Sequence, residues 1–262
     1  MFQNNKKLAG IFLIVFIDLL GFSLILPLLP YYAKTFHAGP TMTGLLVASY
    51  AVAQLFGAPL LGRLSDRFGR RPILIVSLLG TLAGFLLLGL ARALWVLFAS
   101  RVIDGFTGGN LNVAQAYITD VTDANRRARG LGMIGAAFGL GFIIGPVTGG
   151  ILSQWGFAVP AFAAAGLALI NLLMVILWLP ESLPTGKRFG NPRKGSPISI
   201  SAMLHAIRRP YTGSLLITRL IFGLAFAIFQ TIFSLYALTR FNLSASQTGY
   251  ILAYVGVLSA IT

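Results

Sequence analysis

The stretch Gly62-Arg63-Leu64-Ser65-Asp66-Arg67-Phe68-Gly69-Arg70-Arg71-Pro72 lies between two apolar runs, each long enough to cross a bilayer. It gathers four arginines around a single aspartate. Its glycines permit a tight turn, and Pro72 suits the first turn of a following helix. A charged turn between two spans can rest only at a membrane surface. The expectation is therefore a turn over residues 62–72, with the remaining chain laid out as spans that cross in alternate directions.

Composition agrees. Of the 262 residues 56% are hydrophobic and 10% charged, and the mean hydropathy is +0.84. Such a chain is an all-α polytopic membrane protein rather than a soluble domain. The net charge of +14 would suit a nucleic-acid binder if it were gathered on one face. Instead the basic residues fall in alternate loops, which excludes that class. There is no cysteine, and the two histidines, His37 and His205, lie in separate loops, so no metal site and no cofactor is expected. Lys6-Lys7 before the first apolar run resembles the head of a signal peptide, but the run has the length of a full span and no small-residue cleavage site follows. It reads as an uncleaved first helix.

Apolar segments fall at 8–30, 42–62, 72–90, 95–118, 130–152, 159–180 and 213–237, and an eighth begins near Thr248. Each full segment approaches the ~20 residues that cross ~30 Å of hydrocarbon. Lys6, Lys7, Arg63, Arg67, Arg70, Arg71, Arg126, Arg127, Arg129, Lys187, Arg188, Arg193, Lys194, Arg208 and Arg209 share one side, against Lys34, Arg92 and Arg240 on the other. This imbalance puts the N-terminus in the cytoplasm. Arg101 and Arg219 lie inside spans. Residues 181–212, rich in Pro, Gly, Ser and basic residues, read as a central cytoplasmic loop. They divide a six-helix half at 1–180 from the start of a second half at 213–262. Tyr32-Ala33, Thr43-Gly44, Ala48 and Tyr50 are echoed by Tyr236-Ala237, Thr248-Gly249, Ala253 and Tyr254. An offset of about 205 residues suggests that the seventh and eighth spans restate the first and second. The last apolar run stops at Ile261-Thr262, too short to span, so the expectation is a C-terminally truncated chain lacking the rest of helix eight and helices nine to twelve. A complete seven-helix receptor or retinal protein fits poorly, since the seventh span has no lysine for a Schiff base.

The charged stretch resembles the G-x-L-a-D-r-x-G-r-(K/R) signature of the major facilitator superfamily, with Gly62, Leu64, Asp66, Arg67, Gly69, Arg70 and Arg71 in place. Three further segments are similar to motifs of that family. Asp18-x-x-Gly21 followed by Pro27-x-x-Pro30 resembles the first helix of its drug/proton antiporter branch, and Arg101-x-x-Asp104-Gly105 resembles its fourth-helix motif, where an amide is usual in place of Asp104. Gly141-x-x-x-Gly145-Pro146-x-x-Gly149-Gly150 matches the fifth-helix pattern of the antiporters. Read physically, that pattern lets helices touch backbone to backbone while the proline bends one of them. A dinucleotide reading of Gly139-x-Gly141 fails, because no strand precedes it. Asn242-Leu243-Ser244 fits a glycosylation sequon by coincidence.

Asp18 stands about ten residues into its span, ~15 Å deep. Insertion scales put the cost of an acid there near ~2.5–3.5 kcal/mol, so it must be paired, solvated or protonated. Arg101, Asp104, Gly108, Asn112 and Gln115 recur at helical spacing, which predicts one polar stripe facing a cavity or another helix. Asp104 either adds a second titratable group or neutralises Arg101. Phe222, Phe226, Phe229 and Phe233 stripe the seventh span beside Gln230, as packing or as an apolar substrate wall.

The resemblance implies a major facilitator fold and a tetracycline-efflux-like drug/proton antiporter working by alternating access. Asp18 and Asp104 would be the proton-coupling residues. The substrate cavity would be lined by Asp18, Phe22, Gln54, Arg101, Asp104, Asn112, Gln115, Phe226 and Gln230. Gly62, Asp66, Arg67, Gly69, Arg70 and Arg71 would form a cytoplasmic gate, and Gly141, Gly145, Pro146, Gly149 and Gly150 a close contact on the fifth helix. The partners implied are the lipid bilayer, protons and a small molecule, in a monomer of the inner membrane. A sugar or metabolite symporter of the same superfamily and a non-transporting fragment stay open as alternatives. An enzyme does not, since no nucleophile, base and orienting group converge.

Overall fold

The computed structural model describes residues 2–183, 205–209 and 211–261. Most of the expected loop at 181–212, including Lys187, Arg188, Arg193 and Lys194, lies outside the described residues. Helices form wherever the apolar runs fall, because backbone polar groups in hydrocarbon are satisfied only within the chain. In order they are α1 (Phe2–Ile25), α2 (Leu29–Thr35), α3 (Pro40–Phe68), α4 (Arg70–Gly89), α5 (Leu94–Thr107), α6 (Asn110–Val121), α7 (Ala124–Leu152), α8 (Ala158–Trp178), α9 (Thr212–Arg240) and α10 (Ala245–Ile261). Among the described residues six segments are long and apolar enough to cross a membrane: Leu8–Thr35, Pro40–Phe68, Arg70–Gly89, Arg126–Trp155, Ala158–Trp178 and Thr212–Arg240. The first runs through a 3-10 turn at Leu26–Leu28, where Pro27 and Pro30 remove backbone donors, and so reaches past the expected end at residue 30.

Two elements differ from the sequence reading. The charged stretch is helical except at Gly69: α3 continues through Phe68, α4 begins at Arg70, and Gly69 takes φ 109° and ψ 159°. The expected turn over 62–72 contracts to one residue, in a conformation that only glycine adopts readily. The fourth span is broken. α5 ends at Thr107, Gly108 takes φ −71° and ψ 45°, and α6 starts at Asn110. Two carbonyls beside the break are met by side chains from neighbouring helices. Gln54 Nε2 donates to the Gly108 carbonyl at 2.8 Å, and Ser77 Oγ donates to the Thr107 carbonyl. Irregular backbone at this depth is tolerated only with such partners.

The buried apolar residues fall into two main clusters. One joins Ile11–Leu19 of α1 to Ile73–Leu78 of α4 and Val113–Ile118 of α6. The other joins Leu24–Leu29 to Phe85, Leu88 and Leu97, with Ala161–Ala168 of α8 against them. Between the clusters the same helices place Ser23, Thr81, Ser100, Arg101, Asp104 and Asn110, all buried. A polar layer thus divides the core.

Small residues let α7 touch two helices at once. A Cβ on Gly145 would stand 2.0 Å from Ser23 Oγ, and one on Gly149 would stand 2.3 Å from the Leu24 carbonyl, both on α1. On another side of α7, a Cβ on Gly150 would lie 2.9 Å from Ser246 Cα of α10, and Gly249 of α10 packs on the Pro146 carbonyl. Thr43 and Thr248, paired by the internal repeat, occupy equivalent places: each lies buried in the first turn of its helix, its amide donating at 3.0 Å to Gly39 and Ser244 respectively.

These contacts separate glycines that hold the packing from those that do not. Gly149→Ala is expected to lower stability by about 1–3 kcal/mol, because its methyl meets backbone rather than a side chain that can swing away. Gly139, with no described residue within 4 Å of its Cβ position outside its own helical turn, should gain up to about 1 kcal/mol as alanine from helix propensity alone. Thermal unfolding in detergent checks this, and equal shifts for the two variants would contradict the packing described.

Candidate transport cavity and charged knot

Asp18 of α1 projects into a cavity of about 160 Å³ within the polar layer. Leu19 and Phe22 line it from the same helix, Tyr50 and Gln54 from α3, and Thr81 and Phe85 from α4. Asp104 and Gly108 close it beside the helix break, with Asn110 and Leu111 of α6 and Phe138 of α7 completing the wall. Asp18 Oδ1 accepts a hydrogen bond of 2.7 Å from Asn110 Nδ2. Asp104 instead faces a cation: Arg101 Nη1 stands 3.2 Å from its Oδ2, with both side chains almost fully buried. The Arg101 guanidinium also lies over the Phe85 ring at 5.6 Å, and its Nη2 has no hydrogen-bond partner among the described residues.

Of the residues proposed from sequence for the cavity, Asp18, Phe22, Gln54 and Asp104 line it, and Arg101 is packed directly behind. Asn112 and Gln115 are exposed, because the break at Gly108–Gly109 splits the expected stripe and turns a different face of α6 inward. Asn110 takes the inward position. Phe226 and Gln230 are half-buried on α9. Phe226 joins the cavity wall through two residues of α7 that the sequence reading passed over: its ring lies 6.0 Å from Phe138 and 5.8 Å from Phe142. Phe142 lies 6.4 Å from Phe22, which in turn lies 5.2 Å from Tyr50. Aromatic rings therefore run unbroken from α3 through α1 and α7 to α9. Their signal was the four-residue spacing of Phe138 and Phe142, hidden among the glycines of that span.

The second polar cluster closes the Gly69 end. Arg70 Nη1 donates to Ser65 Oγ at 2.7 Å and to Asp66 Oδ1 at 2.5 Å, while its Nε donates to Asp120 Oδ2 at 3.0 Å. Arg71 holds the end of α8 by donating to the Val175 and Ile176 carbonyls. Glu181, absent from the sequence-derived set, accepts the backbone N–H of Arg70 at 2.9 Å and of Arg71 at 3.2 Å. It thereby satisfies two donors at the head of α4. Arg67 lies over Phe68 at 5.3 Å. The knot ties α3, α4, α6 and α8 to one another.

Long apolar helices packed around a polar, aromatic-walled cavity at mid-span define a polytopic membrane protein of the solute-carrier kind. Residues 11–262 match the Major Facilitator Superfamily, and the chain belongs to that family. It is therefore a multi-pass transporter-family protein and not an enzyme. It is 35% identical over 262 residues to the class C tetracycline resistance protein of Escherichia coli, covering 99% of this chain and 66% of that protein. To multidrug resistance protein 2 of Bacillus subtilis (strain 168) it is 31% identical, covering 98% and 65%. The chain thus spans just under two thirds of these relatives' length. Among solved structures, the human organic anion transporter MFSD10 (TETRAN) superposes with a TM-score of 0.74 at 26% identity, covering 97% of this chain and 70% of that one.

The geometry of the knot ranks its acids. Asp66 is 67% exposed, so Asp66→Asn should cost less than about 1 kcal/mol of stability. Glu181→Gln should cost more, about 1–2 kcal/mol, because the two carboxylate oxygens accept four backbone N–H groups, those of Arg70, Arg71, Ser182 and Leu183, and an amide nitrogen in place of either oxygen would face a donor. Melting of the two variants side by side checks the order, and a larger loss for Asp66→Asn would contradict it.

Proposed function

We propose that this chain serves proton-coupled efflux of a drug-like organic compound, of tetracycline type, across the cytoplasmic membrane by alternating access. The observation that carries this reading is the contrast between the two cavity carboxylates. Asp104 has a cation at 3.2 Å, whereas Asp18 is hydrogen-bonded to a neutral amide and faces the cavity. An acid with no fixed countercharge can change its own charge as the cavity opens to one side or the other, which links proton entry to drug exit. The wall of aromatic rings suits a large, flat, largely apolar molecule better than a sugar, which needs many hydrogen-bonding groups. The names of the relatives, tetracycline and multidrug resistance proteins, point the same way.

In this reading the N-terminus and the charged knot face the cytoplasm, residues 1–180 form one half, and α9 and α10 begin the other. The contacts of α10 with α7 and, through a 2.5 Å hydrogen bond between Tyr31 Oη and Thr248 Oγ1, with α2 then close the outer side. The knot acts as the cytoplasmic gate, with Asp66 and Arg70 as its movable pair. One net charge moved per cycle supplies ~2.3 kcal/mol at ~100 mV, enough for a roughly fifty-fold gradient.

Asp18→Asn in the protein expressed from its natural coding sequence is expected to abolish proton-driven drug efflux while still permitting downhill drug exchange. An asparagine keeps size and hydrogen-bonding capacity but cannot change charge. Proton release on drug addition should be compared for wild type, Asp18→Asn and Asp104→Asn. Release that survives in the first variant and vanishes in the second would move the role to Asp104.

A further inference from the structure

Asn110 lies in the cavity for a reason that the break explains. At about 100° per residue an unbroken helix would turn Asn110 roughly 120° away from Asp104. With the chain interrupted at Gly108 and Gly109, both residues line one cavity. The interruption is held from several sides. The Gly108 carbonyl is engaged by Gln54, and a Cβ on Gly108 would come within 3.0 Å of Gln54 Nε2 and Tyr50 Oη. A Cβ on Gly109 would come within 2.8 Å of Leu61. The register at which α6 begins is therefore fixed, and Asn110 is its first residue.

Asn110 is only 8% exposed, its Nδ2 donates to Asp18, and its Oδ1 has no partner among the described residues. An amide oxygen buried at a cavity wall is costly unless cavity water or another state of a neighbouring group meets it, and Asp18 is the neighbour that changes state. A side-chain amide carries a donor at one end and an acceptor at the other, and a half turn exchanges them. Ionised Asp18 can only accept, whereas protonated Asp18 has an O–H to donate. Of the other ionisable groups at the cavity, Asp104 pairs with Arg101, and the Tyr50 hydroxyl accepts from Gln54 and keeps its own O–H to donate, so it can serve the carboxylate but not accept in the amide's place. Asn110 can meet both states of Asp18.

We propose that Asn110 is the positioning residue for proton exchange at Asp18, its amide donating to the carboxylate and, after a half turn, accepting from the carboxyl. It rests on the reading of Asp18 as the proton carrier. In each exchange the proton passes between cavity water and an Asp18 oxygen, and Asn110 keeps all its own hydrogens. Because Asn110 heads α6, its half turn delivers the protonation state of α1 to the second part of the broken span.

The test uses the protein from its natural coding sequence, reconstituted in lipid, with two readouts. The first needs no drug: an infrared titration in which the protonated-carboxyl band absent from Asp18→Asn reports Asp18. In Asn110→Leu, which removes the acceptor, that band is expected at higher frequency, and Asn110→Thr, whose hydroxyl both donates and accepts, should return it toward wild type. The second is tetracycline uptake into everted vesicles driven by an imposed pH gradient. Uptake should fall about tenfold in Asn110→Leu, the size of one hydrogen bond to a charged group, and recover to at least half in Asn110→Thr. Asn110→Ala removes the amide without added bulk and should match the leucine variant, so a leucine variant that fails to fold leaves the comparison intact. A band unmoved by loss of the amide, or threonine as impaired as alanine, overturns the proposal. If no band is lost in Asp18→Asn, the carrier reading falls and this proposal with it. Absence of tetracycline uptake by wild type together with the expected band shifts would instead refute only the substrate, and the shifts would still support Asn110.

Discussion

A carboxylate in hydrocarbon must have a cation, a donor or a cavity beside it, and this constraint orders the whole molecule. The chain has six acidic residues. Asp66, Asp120 and Glu181 converge on Arg70 and the head of α4, Asp104 lies against Arg101, and Asp123 stands just before α7, where its carbonyl accepts from the amides of Arg126 and Arg127. Of the two acids deep in the spans, Asp104 has the Arg101 cation beside it and Asp18 has the neutral amide of Asn110. The ion pairs therefore form a knot at one end, around Arg70, and a thin layer at mid-depth, around Arg101, with apolar packing on both sides of the layer.

Close helix contact makes that layer possible. Gly145 and Gly149 bring α7 against the backbone of α1 near Ser23 and Leu24, and Ser23 Oγ donates across this contact to the Gly141 carbonyl at 2.7 Å. Gly57 and Gly105 do the same for α3 and α5, where a Cβ would fall 1.9 Å from the Phe106 carbonyl and 2.3 Å from the Tyr50 carbonyl. Without such approaches the polar side chains of four helices could not reach one another. Both the tightness of the bundle and the placement of the site thus depend on missing side chains.

Helix positions were legible because each apolar run must satisfy its own backbone, and the all-helical major facilitator fold followed from the runs and the motifs. Asp18, Gln54 and Asp104 were legible for the same reason: a polar group deep in a span needs an inward face. The break at Gly108–Gly109 was not, since glycine pairs in membrane helices are common packing devices and their dihedrals depend on what Gln54 and Ser77 offer from other helices. That one unread break exchanged Asn112 for Asn110. Glu181 was missed because its partners, the amides of Arg70 and Arg71, are over a hundred residues away, beyond any local spacing rule. Phe138 and Phe142 were masked by the stronger glycine pattern around them.

Proton movement through the Asp18 cavity is proposed to drive drug movement the other way. Everted vesicles carrying the protein, energised to an acid interior and then sealed from further proton pumping, test it most directly when tetracycline is added and the internal pH is followed. Drug is expected to accumulate while the interior becomes less acid, and a protonophore added first is expected to stop the accumulation. Accumulation that persists after the pH gradient and the membrane potential have been collapsed would contradict it.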